Sequence, residues 1–198
     1  MKGNRAAVLV GVFVLGGFTC LHGQEGMTET PYYPLKVNTR WDYQVKGQNT
    51  TITMKVAKHE KVGDVMCAVI ETIVNNNVVA TEHVRADKEG VKRYMFMGQK
   101  ADPPVLFLKL PYKKGDKWTV DTKVMGQATK GTFQYDEEVV DVKQGKHKTI
   151  VARSNDFEAA GQKVSTTYWF AEGVGMVKQQ ANIAGTDVTL ELTKFEMP

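Results

Sequence analysis

"TITMKV", Thr51 to Val56, sets Ile52, Met54 and Val56 on one side of an extended chain and Thr51, Thr53 and Lys55 on the other. A period of two is what a half-buried β-strand requires, because successive side chains leave a pleated backbone on opposite faces. The same alternation returns at Phe133 and Tyr135, at Val140 and Val142, and at Val188, Leu190 and Leu192 against Thr189, Glu191 and Thr193. Between these runs lie turn signals: "KGQN" near Gly47, "VGD" at Gly63, "NNN" from Asn75 to Asn77, "KEG" at Gly90, "QGK" at Gly145 and "AAGQ" at Gly161. Asn and Gly tolerate the positive φ of tight hairpins. The pattern therefore predicts a meander of about ten to twelve antiparallel strands.

One stretch breaks the rhythm. In "ADPPVLFLKLP", Ala101 to Pro111, two prolines cannot donate to a ladder and Val105 to Leu108 are apolar without alternation. It reads as a crossing between two halves, and the halves echo one another. "PLKVNTRW" (Pro34 to Trp41) matches "PYKKGDKW" (Pro111 to Trp118), and "VKGQ" at Val45 matches "VMGQ" at Val124. "HVRADKEG" from His83 aligns with "YWFAEGVG" from Tyr168. Collinear matches with small insertions at turns point to a duplication, with half repeats at about residues 31–98 and 108–185. Five short strands bury too little alone, so each half must join its twin. The fold class expected is all-β: a large curved antiparallel sheet or half-barrel built from two similar meanders, plus an N-terminal signal helix. The final strand, near Asp187 to Phe195, falls outside the repeat.

Composition agrees with a globular body, at 42% hydrophobic and 24% charged residues in 198. Lys2 and Arg5 precede the apolar run "AAVLVGVFVL" and a small-residue stretch, the layout of a secretory signal over residues 1–23, leaving one β domain at 24–198. The apolar run is shorter than the roughly 20 residues of a spanning helix. Cys20 ends it and is the candidate for lipid attachment, although Gly17 stands where a lipoprotein signal carries Leu. Cleavage near Gly23 and acylation at Cys20 both remain open. Removal of residues 1–23 leaves 24 Lys and Arg against 22 Asp and Glu, a net +2, with no basic run interleaved with aromatics. Nucleic acid is not an expected partner. With Cys67 as the other cysteine, no internal disulfide is expected once Cys20 is cleaved or acylated.

Familiar catalytic patterns are missing. His59, His83 and His147 have no metal-ligand spacing, Ser154 and Ser165 lie in no nucleophile motif, and Cys67 in "DVMCAVIE" has apolar neighbours suited to a buried thiol. Asp136, Glu137 and Glu138 are adjacent, so a strand would split them between faces, and they read as an exposed turn or bulge. No metal or cofactor is implied. The aromatic and thioether side chains offer more: Trp41, Tyr43, Met95, Met97, Trp118 and Trp169 are the candidate ligand-binding residues, soft walls for an apolar ligand, with core packing as the competing reading.

"YYPLKVNTRWDYQV" from Tyr32 resembles the opening Y-x-P-L-x-x-G-x-x-W-x-Y of the TapB-like group of exported bacterial β-proteins, and "YWFAEGVGMVKQ" from Tyr168 resembles its closing W-[FY]-A-x-G-V-G-x-V-K. Asn38 takes the place of a glycine. The resemblance implies an antiparallel sheet, with a shape similar to the periplasmic lipoprotein carriers, and an envelope location. It implies no catalytic residue.

The expectation is a non-enzymatic envelope or secreted protein binding a lipid, acyl chain or other hydrophobic small molecule, or an envelope component, on a concave sheet face. It would be periplasmic or secreted, touching membrane only through a lipid anchor. A structural or assembly protein acting through sheet edges, with an envelope protein as partner, is the alternative. A hydrolase is third, favoured if His59, His83 and an acid converge.

Overall fold

The computed structural model describes residues 30–198 apart from 125, 160 and 184. The expected signal helix and Cys20 lie outside the described residues. Twelve strands follow one another as an antiparallel meander: β1 (Arg40–Val45), β2 (Thr51–Val62), β3 (Val65–Val74), β4 (Asn77–Asp87), β5 (Gly90–Phe96), β6 (Gln99–Lys109), β7 (Lys117–Val124), β8 (Gln127–Val142), β9 (Gly145–Ala159), β10 (Gln162–Ala171), β11 (Gly175–Ile183) and β12 (Thr186–Glu196). β1 pairs with β2 on one edge and with β12 on the other, so the sheet closes into a barrel. The half-barrel or open sheet expected from the sequence is corrected by that last ladder. Arg40 to Val45 meets Leu190 to Glu196 over six residue pairs, and closure satisfies the two edges an open sheet would leave bare.

Alternation decides what faces inward. On β7 Trp118, Val120 and Thr122 are buried while Lys117, Thr119, Asp121 and Lys123 are exposed. Charged outward positions and apolar inward ones are the reverse of a barrel whose wall faces lipid. The core is therefore the barrel interior, and residues preceding β1 enter it. Tyr33 stacks on Trp41 of β1 at 5.9 Å and meets Phe107 of β6 and Phe170 of β10 edge-on at 5.4 and 6.2 Å. A ring touching three strands so far apart in the meander stands near the axis. Leu35 is buried beside it, and the Leu35 carbonyl lies 2.7 Å from His59 Nε2.

The stretch read as a crossing is instead β6, and the connection between the two sets of six strands is the 110–116 loop. Pro103 and Pro104 are tolerated because neither ladder needs their N–H groups. Against β5 the pairing jumps from Met95↔Lys100 to Arg93↔Val105, and against β7 it consists of Ala101↔Val124 and Asp102↔Lys123. Side chains close the rest of that seam: the Thr122 hydroxyl donates to the Pro103 carbonyl, Trp118 Nε1 to the Leu106 carbonyl at 2.9 Å, and the Tyr135 hydroxyl to the Lys109 carbonyl at 2.5 Å.

Six strands stand on each side of the 110–116 loop, where the sequence suggested five and an outlying last strand. One local arrangement recurs on both sides. The Asn38 N–H donates to Val56 O, Val56 N–H to Thr39 O and Thr39 N–H to Lys36 O; the Gly115 N–H donates to Tyr135 O, Tyr135 N–H to Asp116 O and Asp116 N–H to Lys113 O. Asn38 and Gly115 hold φ of 73° and 84°. In each case the tryptophan three residues later faces a strand partner, Met54 for Trp41 and Phe133 for Trp118.

Asp136 to Glu138 are neither turn nor bulge but lie within β8, where burial changes phase: Phe133 and Tyr135 are buried on odd positions, Val140 and Val142 on even ones. Past Gln134, β8 has left β7, and β9 joins β10 only from Thr149 onward. The two strands continue as a free arm that turns across β10 to β12. Glu138 accepts from Trp169 Nε1 of β10 at 2.7 Å, and the Gln144 N–H donates to the Leu192 carbonyl of β12 at 3.2 Å.

Candidate functional site

The barrel has two unlike ends. At the end holding Tyr33, the inward side chains Val56, Val84, Val91, Leu108, Phe170 and Leu192 have no solvent exposure at all. Toward the other end, marked by the turns at Gly47, Gly98 and Gly185, inward positions lose their cover. Ile52, Val74, Phe96 and Leu190 are partly exposed, and Val188 and Ile183 are 38% and 46% exposed. Their inward direction follows from the register: Ile52 pairs with Tyr43 and Val74, Phe96 with Glu82, and Leu190 with Val45, all positions in phase with the core. The barrel is filled at its base, around Tyr33, and its other end, the mouth, carries uncovered apolar side chains together with the inward Thr72 and Gln179.

Between base and mouth stands an ion pair. Glu82, in phase with Val84 and Ala86, accepts from Arg93 Nε, and the guanidinium lies over the rings of Phe96 and Phe107 at 5.7 and 5.6 Å. The Glu82 side chain is 9% exposed and that of Arg93 30%. Burial works to discharge Arg93, but Glu82, Tyr168 and Tyr33 outweigh it and hold its proton more tightly than in free arginine. Burial, with Glu82 adding, pushes the Tyr33 hydroxyl far above the ordinary phenol range, so it remains a neutral donor.

The six candidates from sequence divide by face. Trp41, Tyr43 and Trp118 point inward but are sealed, at 2%, 1% and 7% exposure, and backbone carbonyls occupy their polar atoms. Trp41 Nε1 donates to Val174 O at 2.6 Å and the Tyr43 hydroxyl to Met176 O at 2.8 Å. Trp169 lies on the opposite face of β10 from the stacked Tyr168 and Phe170, under Glu138 and Lys178. Met95 pairs with His83 on the outer side of β5, and Met97 is an exposed turn residue with φ of 48°. The structure does not bring these six together. Ile52, Val74, Phe96, Val188, Leu190, Glu82 and Arg93 form the mouth and its floor instead. The overlooked signal was a charge in phase with apolar residues, at Glu82 before Val84 and at Arg93 after Val91.

His83 and His59 do not converge. His83 Nε2 meets Glu60 Oε1 at 2.6 Å, whereas His59 faces the Leu35 carbonyl. Hydrogen bonds from Lys58 and His83 lower the carboxyl pKa of Glu60. Among the described residues no group of three His, Cys, Asp or Glu is placed to hold a metal ion. A cleft of about 650 Å³ opens at the filled end between Tyr32, Tyr112 and Glu172 and the arm residues Glu137 and Lys146 to Lys148. Its lining mixes these charged side chains with Tyr32, Tyr112, Val139, Ile150 and Ala171.

Cys67 is fully buried, and burial pushes its thiol up to about 11. At pH 8 such a thiol is only ~0.1% thiolate, against roughly a quarter in an unfolded chain. In a Cys20→Ser chain, labelling of Cys67 by an aromatic disulfide reagent should run at least ~100-fold slower in the native protein than in denaturant, and should accelerate as pH rises toward 11. Rapid native labelling at pH 8 would contradict this packing.

No family model matches the chain, and no curated protein matches it. Among solved structures it is similar to a candidate exported protein with a YmcC-like fold from Bacteroides fragilis NCTC 9343, at TM-score 0.53 and 11% identity, covering 85% of this chain and all of that one. It also matches a candidate lipoprotein from Parabacteroides distasonis ATCC 8503, at TM-score 0.43 and 10% identity over the same shares. At such identities the first likeness concerns the fold.

Proposed function

We propose that the protein is a non-enzymatic envelope or secreted protein that receives an apolar ligand, a lipid or acyl chain, through the open end of its barrel. The observation that carries this reading is the contrast along the interior: apolar inward side chains are sealed around Tyr33 and uncovered from Ile52 to Leu190. Uncovered apolar walls on the concave side of a barrel gain free energy when an apolar guest displaces water, about 25 cal/mol for each Å² covered. The envelope location rests on the signal-like residues 1–23, on Cys20, and on the exported description of the structural neighbour with the YmcC-like fold.

Adjacent residues on β12 provide the test. Leu190 faces inward and Thr189 outward. With the mature protein and a fluorescent long-chain fatty acid, Leu190→Glu should reduce uptake at least about tenfold, because burying a carboxylate against the chain costs well over 1.4 kcal/mol. Thr189→Glu should leave uptake within about twofold. Equal effects, or no uptake by the native protein, would count against the reading.

The assembly alternative keeps one specific observation. Closure removes the edges of the main sheet, yet the arm beyond Glu138 presents unpaired strand edges and an exposed Val139 between Lys146 and Lys148. A partner strand could add there. Deleting the arm tip and asking whether a co-purified envelope partner is lost would separate the two readings.

A further inference from the structure

We propose that Arg93 is a head-group site: the ligand that enters the mouth carries an oxyanion, a carboxylate or phosphate, which takes the two Nη groups of the Arg93 guanidinium. This rests on the reading of the mouth as an apolar ligand site and names the chemistry at its floor. A guanidinium has five donors in a planar fork. Glu82 takes the one at Nε, the faces are covered by Phe96 and Phe107, and among the described residues nothing takes the two Nη groups. A barrel that needed only a filled interior would place an aliphatic residue at this position, in phase with Val91, and avoid desolvating a charge. The 30% exposure of the side chain amid buried neighbours means that water reaches it from the mouth.

Glu82 has a positioning role. By accepting from Nε it fixes the plane of the fork and turns the remaining edge away from itself, the geometry for bidentate capture of a second oxyanion. The Tyr33 ring packs edge-on against Phe107, whose face the guanidinium covers, which places Tyr33 beside the same floor. Phe96, which flanks the guanidinium, also belongs to the uncovered wall, so head and chain contacts are continuous.

The test compares three probes on the mature protein: hexadecanoate, hexadecyl phosphate and hexadecanol, which share a chain and differ in head. At least one anion should bind about tenfold or more tightly than the alcohol, and the tighter anion identifies the head. The double variant Glu82→Met with Arg93→Met, which removes both charges together, should bring all three probes within about threefold of one another while retaining hexadecanol binding. If the native protein binds hexadecanol as tightly as both anions, the head-group site is wrong and the apolar reading stands. If it binds none of the three, the apolar reading fails and this proposal with it. The native ratios decide the matter even where the double variant does not fold.

Discussion

Gly90→Ala should lower the melting temperature by roughly 10 °C or more, the result of a destabilisation of about 3 to 5 kcal/mol. Gly90 begins β5 with φ of 140°, a conformation that L side chains rarely adopt. A Cβ at that position would lie 1.9 Å from the Leu108 carbonyl oxygen and 2.9 Å from its carbon. The obstacle is backbone, not a flexible side chain, so relief requires β5 and β6 to part where Val91 and Leu108 are wholly buried. Gly98, at the next hairpin, supplies the control. Its φ is 76° and nothing lies within 4 Å of an added Cβ, so Gly98→Ala should cost only about 1 kcal/mol. Thermal unfolding followed by circular dichroism distinguishes the two, and similar midpoints for both variants would refute the close approach at Leu108.

Glu82→Leu should cost about 2 to 4 kcal/mol, most of it from leaving Arg93 charged and unpaired inside the barrel. The lower end applies to the extent that water reaching the 30% exposed guanidinium compensates it. Adding Arg93→Met to Glu82→Leu should restore stability to within about 1 kcal/mol of the native protein, since replacing both members of a buried pair by apolar groups is often neutral or better. Urea midpoints at constant slope measure both steps. A double variant no more stable than the single one would show that the pair is not the source of the loss.

Much of the architecture was legible because β structure writes itself in a period of two. Ile52, Met54 and Val56, and Leu190 with Leu192, alternate as they must on a wall with one wet and one dry side. Asn38 was readable as a positive-φ residue because it stands where the resembled motif carries a glycine, and its φ is 73°. Closure was not legible, because pairing of β1 with β12 joins residues about 150 positions apart and leaves no local trace. β6 was misread because prolines argue against a strand unless its ladders happen to be interrupted, and that depends on what β5 and β7 do. The site was read from the largest side chains, yet a tryptophan or tyrosine whose polar atom reaches a carbonyl serves the core as well as a ligand. Which small inward residues stay uncovered, as Val74 and Val188 do, depends on their height along the barrel, which composition does not encode.

Twelve is an even number of strands, and an up-and-down circuit of even count returns to the pole from which it set out. Thr30 enters beside Gly173, whose N–H donates to the Pro31 carbonyl, and Pro198 finishes where its carbonyl accepts from Lys36 Nζ. Whatever is joined to the described chain at Thr30 or at Pro198 therefore hangs from the same pole. The opposite rim, where Ile52 and Leu190 are uncovered, looks away from both of these ends.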